Sequence, residues 1–445
     1  MYFVYTLAAA LALLISSPWW LLRMLWSGKY RAGLSERLGI FPKRLLFQAR
    51  RGPVIWIHAV SVGEVLAVGM LIAELKQLYP EHRVVISTTT EAGQKLGCTR
   101  YGPENVFYFP IDLGFAIRPY LSRLRPQLVV MAETEFWPNF LRLAKSSTAK
   151  IAVVNARISN RSFPGYRRWR GPLRRVLANV DLFLAQSADD KRRLVEIGAM
   201  AERVQVSGNL KFDVKAPPQP PFIAGLKRAI ESCGARPVLV FGSTVAGEEP
   251  ALLEAFRGVL ETYPNALLVL APRRPERFDE VAALVQAATL SCLRRSQWRS
   301  SQESSTEDEK NFNAKLSGSV LLLDTIGELA AVYSLATVAL VGGSLVPRGG
   351  HNILEPAQFG IPIVVGPHTE NFRDIVSLFR ERQALLQLQP EETGAAALTR
   401  VLLDLLQDDS KRAGLAAAAL QVVQAQQGAT ARTLEALKPF LGRAL

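Results

Sequence analysis

Short, nearly continuous apolar runs alternate along most of this chain with longer stretches whose apolar residues recur at helical spacing. Runs without polar alternation predict strands buried on both faces of a parallel sheet, and the stretches between them predict the covering helices. In the first half the strand runs fall at residues 54–58, 84–87, 106–109, 128–131, 151–155 and 182–185, with helical stretches such as 64–78 and 115–124 between them. In the second half they fall at 238–241, 266–270, 320–323, 338–341 and 363–365. The proline-dense segment Ala216-Pro217-Pro218-Gln219-Pro220-Pro221 separates the halves and reads as a stiff, extended connector over 213–236. The pattern therefore predicts two Rossmann-like α/β domains, 27–212 and 237–395, facing a cleft, followed by C-terminal helices over 396–445. Residues 294–315 are polar and lack an apolar period, which predicts a surface loop.

The first 22 residues carry no charged side chain. That is about the length of apolar chain that spans a bilayer core. Trp19, Trp20 and Trp26 close the segment, and residues 23–51 then hold eight Lys or Arg against one acid, Glu36. The basic residues follow the apolar run, unlike those of a cleaved signal peptide, so residues 1–26 are expected to be a retained membrane anchor with the globular part in the cytoplasm. Pro18 and the tryptophans leave open a half-inserted, monotopic helix.

Composition narrows the partners. Across 445 residues the net charge is +14, which favours an anionic lipid surface or a phosphorylated substrate. Nucleic acid is not expected, because no binding module is recognisable and the basic residues look dispersed. Three scattered cysteines fit a reducing compartment. The four histidines lack ligand spacing, and no clear DxD pair is present, so no metal site is expected.

Several motifs fall where predicted strands end, the edge at which α/β sheets bind ligands. Glu64, in His58-Ala59-Val60-Ser61-Val62-Gly63-Glu64, is either a general base aimed into the cleft or a helix N-terminal charge partner. Glu133 and Glu135, in Glu133-Thr134-Glu135-Phe136-Trp137-Pro138-Asn139, either perturb a catalytic pKa or belong to a solvated acidic loop. Lys211, in Ser207-Gly208-Asn209-Leu210-Lys211-Phe212-Asp213, follows no predicted strand but lies at the domain boundary just before the proline connector, and is either an anion contact facing the cleft or simply solvated. In the second half, residues 241–244, 272–278 (Pro272-Arg273-Arg274-Pro275-Glu276-Arg277-Phe278), 324–329 and 342–357 should converge on one edge. The last of these, Gly342-Gly343-Ser344-Leu345-Val346-Pro347-Arg348-Gly349-Gly350-His351-Asn352-Ile353-Leu354-Glu355, reads as a phosphate cradle of backbone amides ahead of a helix start. It has neither P-loop nor dinucleotide-fold spacing. Glu355 suits ribose hydroxyls or, alternatively, the helix N-terminus.

These ordered motifs together resemble glycosyltransferase family 30, the 3-deoxy-D-manno-octulosonic acid (Kdo) transferases of lipopolysaccharide synthesis. The resemblance implies an α/β GT-B fold tethered to the bacterial inner membrane and facing the cytoplasm. It implies inverting transfer from CMP-Kdo to the tetraacyl disaccharide 1,4'-bisphosphate precursor of lipid A, without a metal or other cofactor. Glu64 then matches the family's general base, and Glu133 and Lys211 match positions that stabilise the transition state. Pro272, Arg273, Ile326, Gly327, Glu328, Asn352, Ile353, Leu354 and Glu355 match the CMP-binding positions. The alternative is another GT-B enzyme that takes a UDP-sugar and a lipid-linked acceptor.

Overall fold

A computed structural model describes residues 1–27, 32–46, 52–213, 221–298 and 313–442. The chain forms two units: Met1–Asp213 together with Gln426–Leu445, and Val214–Ala425.

The first unit is built on seven parallel strands: β1 (Val54–His58), β2 (Arg83–Thr88), β3 (Val106–Tyr108), β4 (Pro126–Ala132), β5 (Lys150–Ala156), β6 (Leu182–Ala185) and β7 (Val204–Val206), in the order β3-β2-β1-β4-β5-β6-β7. β1 is buried along its whole length, because both faces of the sheet are covered by helices. Trp56 points to one face and packs edge-on against Phe140 at 4.9 Å, while Ile55 and Ile57 fill the other. The strand order reverses between β1 and β4. The crevice at such a reversal, beyond the carboxyl ends of the strands, is where open α/β sheets bind ligands.

The second unit repeats the plan: β8 (Val238–Thr244), β9 (Leu267–Pro272), β10 (Cys292–Arg294), β11 (Val320–Leu322), β12 (Val338–Val341), β13 (Ile363–Val365) and β14 (Leu386–Gln387), all parallel, in the order β10-β11-β9-β8-β12-β13-β14. Its reversal lies between β8 and β12.

Four details depart from the sequence expectation. The short edge strands β7, β10 and β14 carry too few apolar residues to stand out as runs. The expected helix over 64–78 is two helices, Val62–Ala67 and Gly69–Leu78. Only 214–220 of the expected connector lies outside the described residues; the rest is largely a helix, Pro221–Cys233. Phe222, Ile223, Leu226, Ala229 and Ile230 form its buried stripe, and the helix begins on proline, which is preorganised for a first helical position. The segment 294–315 is anchored at its start: Trp298 is buried against Phe222, and Arg295 stacks on the Phe222 ring at 3.8 Å. Residues 299–312 of it lie outside the described residues.

The C-terminal helices are also shared out. Ala395–Gln407 packs on the helix Glu249–Thr262 of the second unit. Ala429–Leu441 returns to the first, burying Leu434, Leu437 and Leu441 beside β1 and β4 residues. Asp213 fixes that return, because its carboxylate accepts from the Gly428 amide at 2.7 Å and from the Thr430 amide.

Candidate active site

Glu64 follows β1 at the strand reversal of the first unit. It is 9% exposed. Oε2 accepts from the Val60 amide at 2.8 Å and Oε1 from the Ser61 hydroxyl at 3.1 Å. The carboxylate therefore does tie down the turn ahead of its short helix, as the capping interpretation requires. Yet burial outweighs those bonds, and with Glu133 and Glu135 nearby its pKa is raised to about 7. A carboxyl at this value is poised to accept a proton near neutral pH.

Glu133 follows β4, the other strand of the reversal. Its φ of 56° is left-handed, a conformation uncommon outside glycine, and its amide is bonded to Val154. Asp112 fixes the rest of this loop by accepting from the Asn139 and Phe140 amides at 3.0 and 2.7 Å. Lys211 reaches Glu133 Oε1 at 3.1 Å. What aims Lys211 is not legible from local sequence pattern. Asn155 aims it from the end of β5: fully buried and at a φ of 54°, it accepts the Leu210 amide on Oδ1 at 3.0 Å. A lone asparagine closing an apolar run was its only signal. The structure thus gathers Glu64, Glu133, Glu135 and Lys211 on one edge.

In the second unit Pro272 ends β9 and is buried. Arg273 is exposed, and its amide is bonded to the Thr244 carbonyl at 2.9 Å. Arg273 lies near enough to Glu355 to lower its pKa against a dominant rise from burial. Burial, with Arg273 adding, lowers the pKa of His351 to about 4, so the ring is neutral at pH 7. Asn352 bonds Glu355 at 3.3 Å and caps Leu354 at 3.1 Å. Ile353 and Leu354 are 1% and 2% exposed, so only their backbone is available to a ligand. The expected helix there is just one turn, Leu354–Ala357.

Ile326, Gly327 and Glu328 stand on the loop after β11. Ile326 is 80% exposed, a large apolar side chain in solvent at a strand end. Glu328 is already paired with Arg295 at 2.8 Å, and Asp324 with Arg294 at 2.9 Å, so the first residues of the polar segment shape this loop.

The cations of 272–278 divide. Arg277 is committed to the fully buried Glu249, at 2.5 and 3.2 Å, and is structural; Arg273 makes no ion pair among the described residues. No group of three or more His, Cys, Asp or Glu is arranged to hold a metal among the described residues.

Two parallel sheets, each with its polar groups beyond the carboxyl ends, make this a GT-B fold. A UDP-GlcNAc 2-epimerase of Neisseria meningitidis, solved bound to UDP-GlcNAc, has that fold at 13% identity, with a TM-score of 0.52 over 86% of this chain and 99% of its own. The family model described as 3-deoxy-D-manno-octulosonic-acid transferase (kdotransferase) matches residues 32–214. The 3-deoxy-D-manno-octulosonic acid transferase of Bordetella pertussis is 37% identical over 99% of both chains. That of Haemophilus influenzae is 34% identical over 94% of this chain and 93% of its own. The chain belongs to the Kdo transferase family and is a glycosyltransferase.

Proposed function

We propose that this glycosyltransferase moves Kdo from CMP-Kdo to a hydroxyl of the tetraacyl disaccharide bisphosphate precursor of lipid A, with inversion and without a metal cofactor. The observation that carries the proposal is Glu64, a buried carboxyl with its pKa raised to about 7, set at the strand reversal beside the Glu133–Lys211 pair. Glu64 takes the acceptor hydroxyl proton as the new bond forms at the anomeric carbon and the bond to the CMP phosphate oxygen breaks. Lys211, oriented by Glu133, offsets negative charge that develops on the acceptor side. Arg273 meets the leaving phosphate, Asn352 and Glu355 the nucleoside, and Ile326 with Gly327 its base. Incubation with CMP-Kdo and the lipid A precursor, read by product mass and anomeric configuration, is expected to show Kdo addition that survives EDTA. Turnover with a UDP-sugar but not with CMP-Kdo would overturn the assignment.

The membrane assignment extends this reading to the cytoplasmic face of the inner membrane. The helix Tyr2–Ser27 contains a window, Tyr2–Trp19, of mean hydropathy 1.5 with none of it buried, long and apolar enough to cross a bilayer. Its start is nonetheless bound to the first unit: Tyr2 donates to the Arg175 carbonyl at 3.0 Å, and Thr6 pairs with Asn139. A helix held at that end favours lying within one leaflet over crossing to the far side. Beside it, the helices Phe163–Arg168 and Arg170–Leu177 break the dispersal of charge expected from the sequence. Arg161, Arg167, Arg168, Arg170, Arg174 and Arg175 are all exposed and form no ion pair among the described residues, and Trp169 is 66% exposed among them. Each such cation near an anionic bilayer contributes about 1 kcal/mol. Changing Arg167, Arg168 and Arg170 to glutamine is therefore expected to weaken partitioning onto vesicles containing phosphatidylglycerol by about 100-fold, and onto pure phosphatidylcholine hardly at all. Equal losses on both vesicles would refute the electrostatic role.

A further inference from the structure

The glycine-rich loop after β12 looks in sequence like an empty anion cradle. In the structure part of that cradle is filled from within. Glu248, 1% exposed, accepts from the Gly343 amide at 2.8 Å, the Leu345 amide at 2.9 Å and the Val245 amide at 3.0 Å. Two of the amides that a phosphate would need are therefore already bonded to a carboxylate of the protein. Gly342 is required for this approach, because a Cβ there would stand 2.9 Å from Glu248 Oε2 and 2.7 Å from the Ser243 carbonyl oxygen.

The consequences reach the residues assigned to the donor. Gly343, held through its amide, accepts the Gly350 amide on its own carbonyl at 2.7 Å, and Gly350 directly precedes His351 and Asn352. On its other side Glu248 closes the turn after β8 through Val245. The preceding residue, Thr244, accepts the Arg273 amide. One buried carboxylate thus ties together the two loops that flank the strand reversal of this unit; Asn352–Glu355 continue the second of them, and Arg273, on the loop after β9, is bonded through its amide to Thr244 where the first begins.

We propose that Glu248 is a positioning residue for the donor site: it occupies the glycine-loop amides so that the loop is preorganised to present His351, Asn352 and Glu355 beside Arg273. The proposal rests on the CMP-Kdo reading for its ligand but not for its geometry. Glutamine is nearly isosteric, yet its amide nitrogen must face one of three N–H groups, so one bond is lost and two donors oppose each other.

Glu248→Gln in the full chain is expected to raise the apparent KM for CMP-Kdo by about tenfold, the scale of one buried hydrogen bond left unmade, with kcat and the acceptor KM nearly unchanged. CMP alone should protect the variant from thermal unfolding much less than it protects the wild type. Glu248→Asp, which keeps the charge but shortens its reach, should fall between the two and covers the case in which the glutamine variant does not fold. A donor KM that stays at the wild-type value in a folded variant, or a fall in kcat with both KM values unchanged, would overturn the proposal. Failure of the wild type itself to use CMP-Kdo would instead overturn the substrate reading. CMP protection would then still test Glu248.

Discussion

Replacing Glu64 by glutamine is expected to lower turnover by about 100-fold or more while leaving protection by CMP intact. The substitution keeps the shape and can keep the bond to the Val60 amide, so the loss would report the missing base rather than a collapsed turn. The pH profile gives a second signature. The carboxyl has its pKa raised to about 7, so wild-type turnover should climb with pH up to that value and level off above it. The glutamine variant should lose that limb. Stability should move in the opposite sense. Between the ordinary carboxyl value of 4.5 and about 7 the folded chain holds a proton at Glu64 that the unfolded chain has released, so native stability falls as pH rises through this window. Glutamine removes that dependence, and the variant should be more stable than the wild type above pH 7, by up to roughly 3 kcal/mol, with the advantage gone below the ordinary carboxylate range. An unchanged turnover–pH profile in the variant would remove Glu64 from the base role.

The second large effect is structural and falls where the sequence suggested chemistry. Arg277→Ala should destabilise the protein by about 3–5 kcal/mol, because Glu249 would be left charged and unpaired in a fully buried position. Urea or thermal denaturation would measure it. Arg273→Ala, four residues earlier, should do the reverse: an unaltered denaturation midpoint, with a weaker apparent affinity for the donor and little change for the acceptor. Similar midpoints for both variants would contradict this division of the two arginines. The distinction is burial of the partner carboxylate, since an exposed cation without an ion pair contributes little to stability.

How much of this was legible in the sequence depends on which physical term decided each feature. Core strands such as β1, β6, β12 and β13 coincide with their apolar runs, because a strand buried on both faces tolerates almost no polar residue. The edge strands β7, β10 and β14 did not register, since an edge needs little apolar surface. The helix Pro221–Cys233 was written in the chain as an apolar stripe at helical spacing, but the density of prolines before it masked the signal. At the site, Glu64, Glu133 and Arg273 drew notice because charged residues beyond strand ends fall on the ligand edge whatever the details of packing, whereas Lys211 follows the unregistered β7 and was assigned a role only through the family resemblance.

Glu248, Asn155 and Arg277 belong to another category. Their roles depend on which backbone amide or carboxylate lies opposite, across 95 positions of sequence in the Glu248–Gly343 bond and 55 in the Asn155–Leu210 bond. Local pattern has no access to such pairings. By itself, the sequence determined the two parallel sheets, the edge on which chemistry gathers and the family, because each follows from residue type at short spacing. Only the tertiary structure decided that Glu64 titrates near neutrality, that two amides of the glycine loop are already satisfied by Glu248, and that Arg277 is a structural cation paired with a buried carboxylate. Desolvation and hydrogen-bond partnership are properties of what surrounds a group, and that surrounding exists only once the chain is folded.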